Sequence, residues 1–240
     1  MQKLSSISIF FPCYNEEGNV ERVTRAAVAA APKFAEAFEI IIVDDGSSDR
    51  TGQIAKRLAS EIPQVRAVQH PTNLGYGAAV RRGLQEARME WIFFTDGDGQ
   101  FYVNELPKLI DLLDRCDFAV GYRLKRADPL IRLTNAYCWG VLVRAMFGLK
   151  VRDIDCAFKL LPKSLIDAIE IRSEGALVST ELLAKARYRG LRIAEVGVHH
   201  YPRKTGEQTG AKPGVILKAF RELFKLRRHI RSEGLAISEE

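Results

Sequence analysis

The chain has 240 residues, 47% hydrophobic and 28% charged, which is enough for one large globular domain with an ample core. No run approaches the roughly 18 uncharged apolar residues of a membrane span; the longest apolar stretch, Leu133 to Val143, is closed by Arg132 and Arg144. The start lacks a small-residue cleavage site, so a cytosolic protein is expected, with Cys13, Cys116, Cys138 and Cys156 as scattered reduced thiols rather than a zinc site.

From Ile7 onward, short apolar runs alternate with amphipathic ones. ISIFF reads as a strand, Gly18 to Ala30 as a helix, EIIIVD as a strand, Thr51 to Ser60 as a helix, VRAVQ as a strand, Gly77 to Arg88 as a helix and WIFFTD as a strand. This rhythm predicts an α/β fold with a mostly parallel, doubly wound sheet. Right-handed crossovers carry the carboxyl ends of parallel strands to one edge. PCYNEE, DDGSSD and DGDGQF each follow a strand, so all three are expected along one rim.

After DFAVGY the rhythm changes. A helix is expected over Leu130 to Phe147, then VRDIDCAFKLL, further helices, the strand-like LRIAEVGVHHY, the polar loop PRKTGEQTGAKPG and a basic helix. The predicted division is a domain over 1–211 and a basic amphipathic helix and tail over 212–240. Lys212 to Arg231 holds seven Lys or Arg and one Glu, a local +6 that equals the net charge of the whole chain. Val215, Ile216, Ala219, Phe220, Leu223, Phe224, Leu226 and Ile230 share one face of that helix, with Lys218, Arg221, Lys225 and Arg228 on the other. Such a helix either lies on an anionic membrane surface or packs its apolar face on the domain.

DGDG raises a specific chemical question. Asp96 and Asp98 lie one residue apart at a strand's carboxyl end, where two carboxylates repel unless a cation lies between them. An EF-hand loop is excluded, because Phe101 and Pro107 stand where Gly and Glu are needed. A dinucleotide site is disfavoured by Val80 at the third glycine position after GYG. A purely geometric turn is the bland alternative.

Taken together, FPCYNEEGNV, IIIVDDGSSDRT, NLGYGAAVRRG, FFTDGDGQF, VGYR and DIDCAFKLL resemble the inverting family 2 glycosyltransferases of the GT-A fold. Within that family the resemblance is to the dolichyl- or polyprenyl-phosphate hexose synthases. It covers roughly Ile7 to Thr209, with the motifs in the family's order and spacing. QFYVNEL departs from the His or Phe and paired prolines that many polyprenyl-phosphate enzymes carry after the D-x-D. Q-x-x-R-W, expected of processive synthases, is absent.

The resemblance implies that Pro12, Tyr14, Glu16, Asp44 and Asp45 meet the base and ribose of a nucleoside-diphosphate sugar. Alternatively, Asp44 and Asp45 cap the helix that starts near Asp49. It implies that Asp96 and Asp98, with Gln100, hold Mg²⁺ or Mn²⁺, and that Asp96 also serves the donor. Arg123, Arg132 and Arg203 fall where the family places residues that contact the acceptor phosphate, with Lys159 a weaker candidate; Asp96, Asp98 and Arg123 are the expected catalytic set. The implied reaction is inverting transfer of a hexose to a polyprenyl phosphate at the cytosolic membrane face, by a peripherally associated enzyme. A phosphate acceptor is already anionic, so no general base is needed. A saccharide or other hydroxyl acceptor would instead require a carboxylate such as Asp153 or Asp155. A non-catalytic basic binding module is the contrasting class; no nucleic acid partner is expected, and the sequence identifies no integral membrane partner.

Overall fold

The computed structural model describes residues 3–124, 130–173, 175, 177–203 and 222–232, with backbone alone over 130–138. Seven strands, β1 (Leu4–Cys13), β2 (Ala35–Asp44), β3 (Val65–Gln69), β4 (Trp91–Thr95), β5 (Phe118–Arg123), β6 (Phe158–Pro162) and β7 (Ile193–Val198), form one sheet in the order β3-β2-β1-β4-β6-β5-β7. β1 pairs in parallel with β2 and β4, β2 with β3, and β5 with β7. β6 is antiparallel to both β4 and β5. The mostly parallel sheet thus matches the expectation, and the reversed strand within FKLLP is the element that the alternating pattern did not disclose.

The helices are α1 (Val20–Ala30), α2 (Thr51–Glu61), α3 (Tyr76–Glu86), α4 (Pro107–Ile110), α5 (Leu130–Phe147), α6 (Lys163–Ala168) and α7 (Val178–Tyr188), with an eighth, α8, over 222–232. Central strands covered on both faces read as continuous apolar runs, and β1 is buried throughout its last seven residues. Phe10 and Phe94 stack at 5.4 Å, and Phe93 meets Phe158 edge-on at 4.7 Å. Each such side chain contributes about 1.5–3 kcal/mol of burial.

Strand direction decides what reaches the rim. The carboxyl ends of β1, β2, β3, β4, β5 and β7 and the amino end of the reversed β6 all meet at the same edge. The segment 152–157 therefore joins the three loops expected there, as do 70–75 after β3 and 199–203 after β7.

In the basic tail, Leu223, Leu226 and Ile230 are buried with the main hydrophobic core, while Phe224 is 59% exposed. Val215, Ile216, Lys218, Ala219, Phe220 and Arg221 lie outside the described residues. Over 222–232, the inward alternative is the one the chain adopts for these three aliphatic side chains. Among the described residues no helix is long and apolar enough to cross a membrane.

Candidate active site

At the rim lies a cleft of about 720 Å³ lined by Pro12, Tyr14, Glu16, Asp45, Asp96, Asp98 and Arg203, with Cys13, Asn15, Asn73, Gly75, Tyr76, Ala79 and Gly97. Seven sequence-predicted residues thus converge from four loops.

The loops are locked to one another. Asn15, at a φ of 55°, places its side-chain oxygen 2.9 Å from the Ser48 N–H, and its own N–H donates to Ser47 Oγ at 2.9 Å. This left-handed turn suits Asn better than most residues. The N–H of Glu16 donates to Thr51 Oγ1 at 2.8 Å. Gly97 packs so closely on the end of β1 that a Cβ would stand 2.4 Å from Cys13 Sγ. The D-G-D turn therefore needs glycine for contact, and the cost of a side chain there is steric.

Asp44, the last residue of β2, and Asp45, the first residue of the loop that follows, divide their roles. Asp44 lies outside the cleft lining and is 1% exposed; it accepts from Gln69 Nε2 at 2.8 Å and the Ser47 N–H at 3.1 Å. Asp45 lines the cleft and accepts from the N–H groups of Leu74 (3.0 Å) and Gly75 (2.9 Å), with His70 Nδ1 at 2.7 Å. Neither caps α2; Asp49 takes the Thr51 N–H at 2.9 Å.

Asp96 and Asp98 have neutral donors as their hydrogen-bond partners among the described residues. The Tyr76 hydroxyl donates to Asp96 Oδ1 at 3.1 Å, and the Gln100 N–H donates to Asp98 Oδ1 at 2.9 Å. Burial, then the charge of Asp98, pushes Asp96 from its ordinary 3.8 up to about 7, against the more distant pull of Lys159 and Arg123. The pair is electrostatically incomplete. Among the described residues no three His, Cys, Asp or Glu side chains are grouped closely enough to hold a metal ion together, so a cation here would draw only a minority of its ligands from the protein. That donor set fits Mg²⁺ or Mn²⁺, which retain water and phosphate oxygens, and does not fit a closed zinc site. Gln100 is 8% exposed and its amide nitrogen donates to the Tyr201 carbonyl at 2.8 Å, fastening the loop after β7 to the D-x-D turn.

The three arginines fare differently. Arg203 reaches into the cleft and ion-pairs with Glu16. Burial raises the Glu16 carboxyl above its ordinary value, opposed by Asn19 and Arg203. Arg123 lies outside the cleft lining. Its Nε and Nη2 donate to Asp153 at 2.7 and 2.8 Å, with the two side chains 16% and 13% exposed. Burial works against its charge, but the Asp153 bonds outweigh it and hold the guanidinium above its ordinary value. Arg132 has no described side chain.

Lys159 is fully buried and donates to the Ile154 carbonyl at 3.1 Å, the Cys156 carbonyl and Ser179 Oγ at 3.2 Å. It braces the 152–157 segment from beneath and makes no surface for a phosphate, because its ammonium is buried and spent on those three oxygens.

The family description "Glycosyl transferase family 2" matches residues 8–169, more than half of the chain. The chain belongs to glycosyltransferase family 2. This glycosyltransferase is 30% identical over 207 residues to the glycosyltransferase AglD of Haloferax volcanii, covering 82% of the chain and 33% of that protein. It is 30% identical over 204 residues to dodecaprenyl-phosphate galacturonate synthase of Rhizobium johnstonii, covering 83% and 60%. To dolichyl-phosphate beta-glucosyltransferase of Saccharomyces cerevisiae it is 29% identical over 220 residues, covering 80% and 66%. The chain spans from one third to just under two thirds of these relatives' lengths.

Among solved structures, Mycobacterium tuberculosis glucosyl-3-phosphoglycerate synthase in complex with UDP superposes with a TM-score of 0.67 at 20% identity, over 94% of this chain and 80% of that one. S. aureus TarS in complex with UDP-GlcNAc gives 0.64 at 20% identity, over 96% and 71%. The fold of this glycosyltransferase is the expected GT-A type. Its cleft also includes Asn73, Gly75 and Tyr76, which the sequence reading did not single out. The loop after β3 was open to the same rim argument as the other three, and NLGYG is its signal.

Proposed function

We propose that this glycosyltransferase transfers a hexose, with inversion, from a nucleoside diphosphate to a polyprenyl phosphate, using Mg²⁺ or Mn²⁺ held by Asp96 and Asp98. The observation that carries the reading is the convergence of this unneutralised carboxylate pair with Glu16, Asp45 and Arg203 in one cleft. The dodecaprenyl-phosphate and dolichyl-phosphate relatives support the acceptor class. The Mycobacterium tuberculosis synthase bound to Mn²⁺ and UDP-glucose supports the donor class and the metal.

When bound, the cation supplies Lewis-acid stabilisation for the charge developing on the departing diphosphate. The chain's own residues do the rest. Tyr14, 40% exposed at the cleft wall, offers a ring face to the base. Glu16 and Asp45 offer acceptors to ribose hydroxyls or base N–H groups. Arg203 is long and planar enough to exchange Glu16 for the oxygens of an acceptor phosphate. Arg123 engages Asp153 through Nε and Nη2 and retains Nη1 for an anion. Asp153 is committed to that arginine, which suits a reaction whose anionic nucleophile needs no proton removed. Peripheral attachment is part of the proposal: Lys225 and Arg228 face outward beside exposed Phe224, the makings of a contact with an anionic leaflet.

The test is a panel of UDP-glucose, GDP-mannose and UDP-N-acetylglucosamine, each incubated with polyprenyl phosphate and Mn²⁺ or Mg²⁺. Lipid phosphate gaining the mass of one sugar residue is expected. Hydrolysis alone, or product only with a saccharide acceptor, refutes the acceptor assignment.

A further inference from the structure

Tyr76 has no part in the sequence motifs' expected chemistry, yet the fold brings it into the cleft lining. Gly75, at a φ of 97°, turns the chain into α3, and the N–H groups of Leu74 and Gly75 are held by Asp45 at the end of β2. Tyr76 is therefore launched from an anchored point. Its ring is 40% exposed, and its hydroxyl spans from α3 to the end of β4 to donate to Asp96 Oδ1 at 3.1 Å.

A carboxylate at the end of a strand rotates broadly about its last torsion unless something holds it. With Oδ1 engaged, that rotation is restricted, and Oδ2 remains for a ligand. The neutrality of the donor matters as much as its position. A lysine or arginine in the same place would hold Asp96 equally well, but would cancel the negative charge that draws a cation. Asp98 is held by a neutral donor too, the Gln100 N–H. Each carboxylate of the pair is thus oriented without being neutralised.

We propose that Tyr76 is a positioning residue for the metal: its hydroxyl fixes the carboxylate of Asp96 so that the cation meets a preset pair. This rests on the reading of Asp96 and Asp98 as metal carboxylates. Partners that orient a metal's direct ligands commonly carry a 10- to 100-fold effect on metal affinity. Tyr76 is a single neutral hydrogen bond at a partly exposed site, so the expected effect lies at the lower end, about tenfold.

The experiment compares the full chain with Tyr76→Phe, which removes one oxygen and keeps the ring. Mn²⁺ is titrated in the presence of UDP, with bound and free ion separated by electron paramagnetic resonance; UDP affinity without metal and thermal melts are measured alongside. The expected result is Mn²⁺ affinity lowered about tenfold, with metal-free UDP affinity and melting temperature unchanged. The Mn²⁺ concentration for half-maximal transfer should rise in parallel, while kcat at saturating Mn²⁺ stays within about twofold of wild type. A purely structural tyrosine would shift the melt and leave Mn²⁺ affinity alone. Equal Mn²⁺ affinity in the two proteins overturns the inference while the metal reading stands. If wild type binds no Mn²⁺, with or without UDP, the metal reading fails and this inference fails with it.

Discussion

Replacing Asp96 with Asn removes a charge that the fold makes costly, so the variant should lose activity and gain stability. In the native chain the Asp96 carboxyl is pushed from 3.8 to about 7 by burial and by Asp98. Because the folded-state value is raised, the native chain holds a proton that the unfolded chain has released between about pH 4 and pH 7. Stability therefore falls as pH rises through that window, and the penalty is complete above it. The gap sets a ceiling of about 4 kcal/mol at about 1.4 kcal/mol per pH unit. Asp96 is only partly buried, so screening by water reduces the expected gain to about 1–2 kcal/mol, or roughly 3–6 °C in a chain of this size. Asn preserves volume and can still accept from Tyr76. The assay is a pair of metal-free thermal melts at about pH 8 and about pH 5. Asp96→Asn should melt above wild type at the higher pH, with less than half that margin at the lower. With UDP present, adding Mn²⁺ should raise the wild-type melt further and leave the variant at its UDP-only value. A variant that is less stable at about pH 8, or a margin that does not change with pH, refutes the electrostatic account.

Asp98→Asn should lower transfer by at least about 100-fold, matching wild type in EDTA as read by mass of the lipid product, with a melt no lower than wild type because it relieves the repulsion on Asp96. Arg123→Ala removes both guanidinium bonds to the partly buried Asp153 and should cost about 1–3 kcal/mol in denaturant titration; Arg123→Lys should recover little, since it cannot reproduce two parallel bonds. Arg203→Ala should raise KM for the lipid phosphate several-fold more than KM for the donor, and a cycle with Glu16→Gln should be non-additive because the two side chains pair; additivity would show that the ion pair is not energetically coupled. Removing all residues beyond 211 should unfold the domain, since Leu223, Leu226 and Ile230 each contribute about 1.5–3 kcal/mol of burial, together comparable to a whole domain's stability. A truncated chain that melts normally would show that these contacts are dispensable.

Local patterns carried much of this. The alternation of apolar runs and amphipathic helices is a property of neighbouring residues, so the strands through WIFFT and the helix over Leu130–Phe147 could be read directly. Parallel connections then forced PCYNEE, DDGSSD and DGDGQF to one rim, because crossover handedness is a general constraint needing no knowledge of side-chain contacts. What remained hidden depends on partners far along the chain. FKLLP is apolar whichever way it runs; that β6 runs antiparallel follows from its register against β4 and β5. Asp44 and Asp45 are chemically identical neighbours, and only the point at which β2 ends and its loop begins separates the one in the cleft from the one outside it. Glu16 and Arg203 are 187 positions apart, and Arg123 finds Asp153 30 positions away; no spacing rule links such pairs. The tail's amphipathic pattern likewise stated which face is apolar. Only tertiary packing decided what covers Leu223, Leu226 and Ile230, because burying an apolar face against protein and burying it in lipid make the same demand on sequence.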